Sequence, residues 1–190
     1  MCRALKLSAG LAHELNNPAS AIGRAAGQLD DLLISQETRA LCLGRVLSAD
    51  DVDYLMNLRN ATSTHEHDFA ELDPVAQSDR EDEILTWLAD HAVGRGWDLA
   101  PDLASFGVTN AILDDLAERF TPEVLAEAVS WLCSSLSATG LTAEIEHGSE
   151  RISELVRAIK DYSYMDQAPV QDVDIHDGLN DTLTLFKHKF

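Results

Sequence analysis

Leu11, Leu15, Pro18, Ile22, Ala25, Leu29 and Leu32 follow one another in alternating steps of four and three. That is the period of a narrow apolar face on a helix, the heptad seam of coiled coils and four-helix bundles. It predicts one long helix over about residues 3–36. A second seam runs through Leu141, Ile145, Ile152, Leu155, Ile159 and Tyr162, and predicts another long helix over about 141–166, stopped by Pro169. Between them lie shorter periodic stretches with their own punctuation. Ser48 with Asp51 starts a short helix carrying Val52, Tyr54, Leu55 and Leu58. Asn60–Gln77 reads as a loop, after which Ser78 and Glu81 form a capping box for a helix with Ile84, Leu85, Trp87 and Leu88 on its apolar face. Gly94 or Gly96 ends that helix, and Pro101 interrupts the chain again. Residues 108–119 read as helical. Thr121-Pro122-Glu123 is a strong helix start: threonine caps, proline suits the first turn, and glutamate suits the positive dipole end. The helix it opens runs to about Ala138, with Gly140 a break or a soft point. After Pro169, residues 170–175 suggest a short strand and 176–188 a helix.

Strand-like alternation is scarce, so the fold class expected is all-α: a long antiparallel helical hairpin with a helical insertion between its two helices. A lone hairpin leaves part of each seam uncovered. Pairing two copies into a dimeric four-helix bundle covers it. The expected organisation is therefore 1–36 with 141–168 as the hairpin, 37–140 as an all-helical insertion, and 169–190 as a lead into whatever follows. Trp87, Trp97 and Trp131 are expected in the core of the insertion.

Composition narrows the function classes. Hydrophobic residues make up 45% of the chain and charged residues 25%, enough to build a core at this length of 190 residues. Lys and Arg total 14 against 33 Asp and Glu, a net charge of −19. Such a chain opposes phosphate backbones and anionic lipid, so no nucleic-acid partner is expected. No run approaches the length of uninterrupted apolar sequence that a membrane span needs, and the first residues lack the apolar stretch of a signal peptide. Cys2, Cys42 and Cys133 are odd in number and far apart, which fits a reducing, cytoplasmic setting and neither a disulfide framework nor a zinc knuckle. His65, Glu66, His67 and His91 lack a third ligand at diagnostic spacing, so no metal site is expected. The acidic pairs Asp30-Asp31, Asp50-Asp51 and Asp114-Asp115 read as solvated faces.

The segment with chemical content is Leu11-Ala12-His13-Glu14-Leu15-Asn16-Asn17-Pro18. At 100° per residue His13 points about 180° from the seam, and Asn17 lies one turn on, about 40° around from it. Lys6, Ser20 and Arg24 fall on the same outward side, and Glu14 lies on the flank. An imidazole, a carboxylate, a carboxamide and two cations thus share one exposed helix edge. A zinc-binding HExxH fails here, because its fifth position is Asn17. Pro18 sets His13 apart from an ordinary surface histidine. A mid-helix proline costs about 3 kcal/mol and kinks the helix, so its presence one turn past His13 points to a wanted bend.

LSAGLAHELNNPASAI resembles the phosphoacceptor box of the dimerisation and histidine-phosphotransfer domain of sensor histidine kinases. SERISELVRAIKDYSYMD, followed by a proline and VDIHDGLNDTLTLF, is similar to that family's second hairpin helix and its lead into an ATP-binding domain. The resemblance covers roughly 1–36 and 141–190; the family's usual short connection is replaced here by about 100 residues. It implies that a ring nitrogen of His13 attacks the γ-phosphate of ATP. Glu14 then accepts the proton of the other ring nitrogen, and Asn17 orients phosphate or water. Pro18 is the hinge, and Lys6 or Arg24 supplements charge neutralisation. The implied partners are a second copy, a response-regulator receiver domain and an ATP-binding domain of the same protein. That last domain is expected beyond Phe190, because no Asn-bearing helix or glycine-rich ATP box precedes it. ATP and Mg belong to the full-length kinase, with no cofactor held by this chain, which alone would be inactive. The competing reading is a non-catalytic helical scaffold, or a phosphotransfer module charged by another kinase.

Overall fold

The computed structural model describes residues 2–63, 73–165, 176 and 178–180, and the side chains of 11–63, 73–160, 176 and 178–180. All regular structure among the described residues is helical: α1 Cys2–Leu43, α2 Ala49–Ser63, α3 Pro74–Asp90, α4 Gly96–Ser105, α5 Asn110–Arg119 and α6 Pro122–Met165. Two compact units result, Met1–Gly27 with Ala143–Phe190 and Gln28–Thr142. The expected strand at 170–175, His65 and His67 lie outside the described residues, as do the side chains of Lys6 and Tyr162.

Several expected boundaries move, each for a local reason. α1 continues past 36 to Leu43, whose side chain is buried in the core of the Gln28–Thr142 unit. α2 continues through Asn60 to Ser63, where Thr62 and Ser63 return their hydroxyls to the carbonyls of Leu58 and Arg59. α3 begins at Pro74 behind Asp73, not behind Ser78: a proline pre-set for the first turn starts the helix earlier, and Ser78 falls inside it. Pro101 lies inside α4 instead of interrupting the chain. The N–H it lacks would have met the carbonyl of Trp97, in an exposed first turn where water can serve instead. Gly140 neither breaks nor ends a helix, and α6 runs unbroken for 44 residues.

The Gln28–Thr142 unit is built around Leu55 of α2, Ile84, Trp87 and Leu88 of α3, Leu103 of α4, Leu113 and Leu116 of α5, and Leu125, Val129, Leu132 and Leu136 of α6. Polar contacts fix the helices at its margin. Ser48 and Asp51 exchange cap hydrogen bonds as the sequence predicts, at 3.2 Å from the Ser48 N–H to Asp51 Oδ2 and 3.2 Å from the Asp51 N–H to Ser48 Oγ. Arg119 of α5 donates to the Asp51 carboxylate at 2.7 Å while its guanidinium lies 4.7 Å over the Tyr54 ring. The hydrogen bonds from Ser48 and Arg119 hold the Asp51 carboxyl below the usual carboxylate range. Arg39 of α1 pairs with Glu127 of α6 at 3.0 Å, and Arg59 of α2 donates to Thr139 of α6 at 3.0 Å. Burial pushes the Cys133 thiol up to about 12, so it stays protonated and unreactive in the folded unit.

Trp87 is buried and donates its indole N–H to Asp114 at 2.7 Å, with the His91 ring stacked on it at 3.8 Å. Trp131 packs partly buried against the core. Trp97 does not join them. It is 82% exposed, which corrects the expectation of three core tryptophans. α6 also contains, within Pro122–Lys160, a window long and apolar enough by length and composition to cross a membrane, with a mean hydropathy of 1.3. Part of that helix's apolar content lies inside the protein, where Leu125, Ala128, Val129, Leu132 and Leu136 are core residues.

α3 and α4 end alike, on two residues that differ in cost. After α4, Gly107 at φ 72° donates to the Ala104 carbonyl at 3.0 Å, and Val108 to the Leu103 carbonyl at 3.0 Å. After α3, Ala92 at φ 55° donates to the Ala89 carbonyl at 3.2 Å, and Val93 to the Leu88 carbonyl at 2.9 Å. Both are Schellman caps, with a buried valine making the accompanying apolar contact. Glycine takes the left-handed region freely, whereas a Cβ costs about 1–2 kcal/mol there. Ala92→Gly should therefore stabilise the protein by about 1 kcal/mol, and Gly107→Ala should destabilise it by at least that much. Denaturant midpoints of the two variants check both signs.

Candidate functional site

The site expected from the sequence is carried by α1 alone, in the unit formed by Met1–Gly27 and Ala143–Phe190. The helix is continuous through Leu11–Pro18, and Pro18 lies inside it. Among the seam residues Leu11, Leu15, Pro18 and Ile22 are half-buried and Ala25 is fully buried, so the seam faces protein. His13 and Asn17 are exposed on the opposite side, together with Ser20 and Arg24. Glu14 is half-buried, as its place on the flank requires. Residues four apart stand about 5–6 Å apart at their Cβ atoms, so His13 and Asn17 can reach one small ligand together. The proline adds a further polar group. The carbonyl of Glu14 loses the N–H that residue 18 would have supplied, leaving an acceptor on the flank of the same turn.

In the same unit α6 carries Leu155 and Ala158, both buried, with Ile152 and Ile159 half-buried. Gly148 completes the contact in a way the seam pattern does not announce. A Cβ placed on it would lie 2.7 Å from Ile22 Cγ1, 3.1 Å from Ile22 Cδ1 and 3.6 Å from the Pro18 carbonyl oxygen. The backbones therefore approach closely just beyond the proline. The only advance sign is positional, since glycine stands between Ile145 and Ile152 where the four-three step calls for an apolar side chain.

No family model, curated protein or solved structure matches this chain. What can be said of the site therefore rests on its own chemistry. The edge carries an imidazole, a neighbouring carboxylate, a carboxamide one turn away and the guanidinium of Arg24. No group of three or more His, Cys, Asp or Glu among the described residues could hold a metal ion. His91, one of the weak metal candidates, has its Nδ1 2.9 Å from the Trp87 carbonyl oxygen. The rest of the acidic surface includes Glu146, Glu150 and Glu154, which line an open groove along α6 with Ser149 and Ser153.

Proposed function

We propose that this chain is the dimerisation and phosphoacceptor region of a sensor histidine kinase, with His13 as the phosphorylated residue. The observation that carries the reading is His13 standing exposed on a continuous helix, opposite a half-buried seam and just over one turn before an intrahelical proline. An exposed imidazole on a rigid helix can be visited by two large partners in turn, first an ATP-binding domain and then a receiver domain. A pocketed histidine could not.

In the proposed reaction the His13 ring nitrogen attacks the γ-phosphorus, the bond to the ADP oxygen breaks, and a nitrogen–phosphorus bond forms. Glu14 accepts the proton of the other ring nitrogen. A receiver aspartate then attacks the same phosphorus and His13 leaves. Asn17 holds a water or a phosphate oxygen, a role suited to a carboxamide that cannot act as a strong base. Arg24 and Lys6 offset phosphate charge. Pro18 is the hinge. ATP and its magnesium belong to the ATP-binding domain.

The unit organisation proposed is a hairpin of 1–36 with 141–168 interrupted by the insertion 37–140. Each unit by itself holds a contact between α1 and α6: Ile22 lies against Gly148 in one, and Arg39 pairs with Glu127 in the other. The α1 seam remains only half-buried at Leu11, Leu15, Ile22, Leu29 and Leu32, which is what a second copy would cover.

The test supplies labelled ATP to the chain joined to its downstream ATP-binding domain and maps the label by peptide. Label on the His13 peptide of a species with twice the protomer mass by sedimentation is the expected result. Label on another residue, or a monomer at micromolar concentration, contradicts the corresponding half of the proposal.

A further inference from the structure

Gly148 interrupts the α6 seam at one level only. Leu141, Ile145, Ile152, Leu155 and Ile159 each supply a side chain to that row, and position 148 supplies none. Its backbone is helical, so no unusual torsion demands glycine there. Space demands it, because a methyl group would come within 2.7 Å of Ile22 Cγ1. That atom sits next to the Cβ branch of Ile22 and not at the free end of a flexible chain. A rotamer change relieves little, and the distance between the helices must yield instead.

The place of this contact on α1 gives it consequence. The third atom met by the same Cβ would be the carbonyl oxygen of Pro18, at 3.6 Å. A proline inside a helix favours a bend, and Pro18 is half-buried on the seam side, so a bend there is oriented with respect to α6. His13 lies five residues before Pro18, about 7.5 Å along the axis, on the arm of α1 that the bend swings. The spacing of α6 at Gly148 thus limits how far α1 can bend at Pro18.

We infer that Gly148 is a positioning residue for the His13 edge: by admitting Ile22 and the Pro18 backbone against bare α6 backbone, it sets the bend that aims His13. Its functional meaning rests on the phosphoacceptor reading; the geometric statement does not.

The experiment uses the whole 190-residue chain with isotope-labelled histidine, the His13 ring resonance being assigned by its loss in His13→Gln. Gly148→Ala should shift the His13 ring resonance and speed amide exchange over residues 14–22 by about tenfold. Ile22→Ala removes the two atoms that a Cβ at 148 would crowd, leaving only the Pro18 carbonyl oxygen at an ordinary contact distance. The double variant Ile22→Ala/Gly148→Ala should return both readouts towards wild type, while Ile22→Ala alone leaves the His13 resonance in place. A Gly148→Ala protein that melts earlier yet moves neither readout would reduce the residue to simple packing and overturn the inference. So would a Gly148→Ala defect, including failure to fold, that the double variant does not restore. A parallel arm measures His13 labelling in the chain joined to its ATP-binding domain. Label lost in Gly148→Ala and regained in the double variant extends the inference to phosphorylation. Absence of His13 label in the wild type would sink the phosphoacceptor reading while the resonance and exchange results still decide the positioning role.

Discussion

Leu132→Ala should destabilise the Gln28–Thr142 unit by about 2–5 kcal/mol, a loss large enough to consume much of the stability of an ordinary domain. Leu132 is fully buried on α6 and belongs to the core cluster shared with α3, α4 and α5. Truncating it removes favourable transfer and leaves a void that close-packed neighbours fill only in part. Leu41→Ala provides the contrast. Leu41 is 70% exposed, so its truncation should change stability by no more than about 0.5 kcal/mol. Urea titration followed by tryptophan fluorescence separates the two, because Trp87, Trp97 and Trp131 all lie in this unit. Equal effects of the two variants would mean that the described core is not what holds the unit together.

The parts of the fold that were legible in the sequence are those written in local chemistry. The Ser48–Asp51 cap, the Thr121-Pro122-Glu123 start and the α1 seam each need only a few neighbouring residues to act, and each is found as read. Misreadings arose where two local signals competed. Ser78 and Glu81 form a plausible box, yet Pro74 starts α3 first, and Gln77 takes Glu81 as its own partner at 3.1 Å. Pro101 and Gly140 looked like stops, but Gly140 costs only about 1 kcal/mol in a helix, and the bond Pro101 forgoes is to a carbonyl in the exposed first turn of α4. Ala92 in the left-handed region carries no mark in the sequence at all, since its conformation is imposed by the cap that ends α3.

For the candidate site, the outward face of His13, Asn17 and Arg24 followed from helical periodicity alone, and the side chains stand where it put them. Trp97 shows the opposite case: aromatic character predicts burial on average, and only tertiary context left this one in solvent. Gly148 was not legible because its role depends on what α6 meets, and Ile22 lies far away in sequence.

The phosphoacceptor proposal stands on one side chain, and one substitution tests it most directly. His13→Gln keeps a polar, helix-compatible side chain on an exposed position, so folding should be unaffected. It removes the imidazole from that edge. With the chain joined to the ATP-binding domain that the proposal requires and labelled ATP supplied, the wild type should take up a label that acid releases and base does not, the behaviour of a nitrogen–phosphorus bond. His13→Gln should show none of it at equal helix content by circular dichroism. Acid-labile label persisting in the variant, or label on the wild type that is stable to acid, would contradict the assignment of His13.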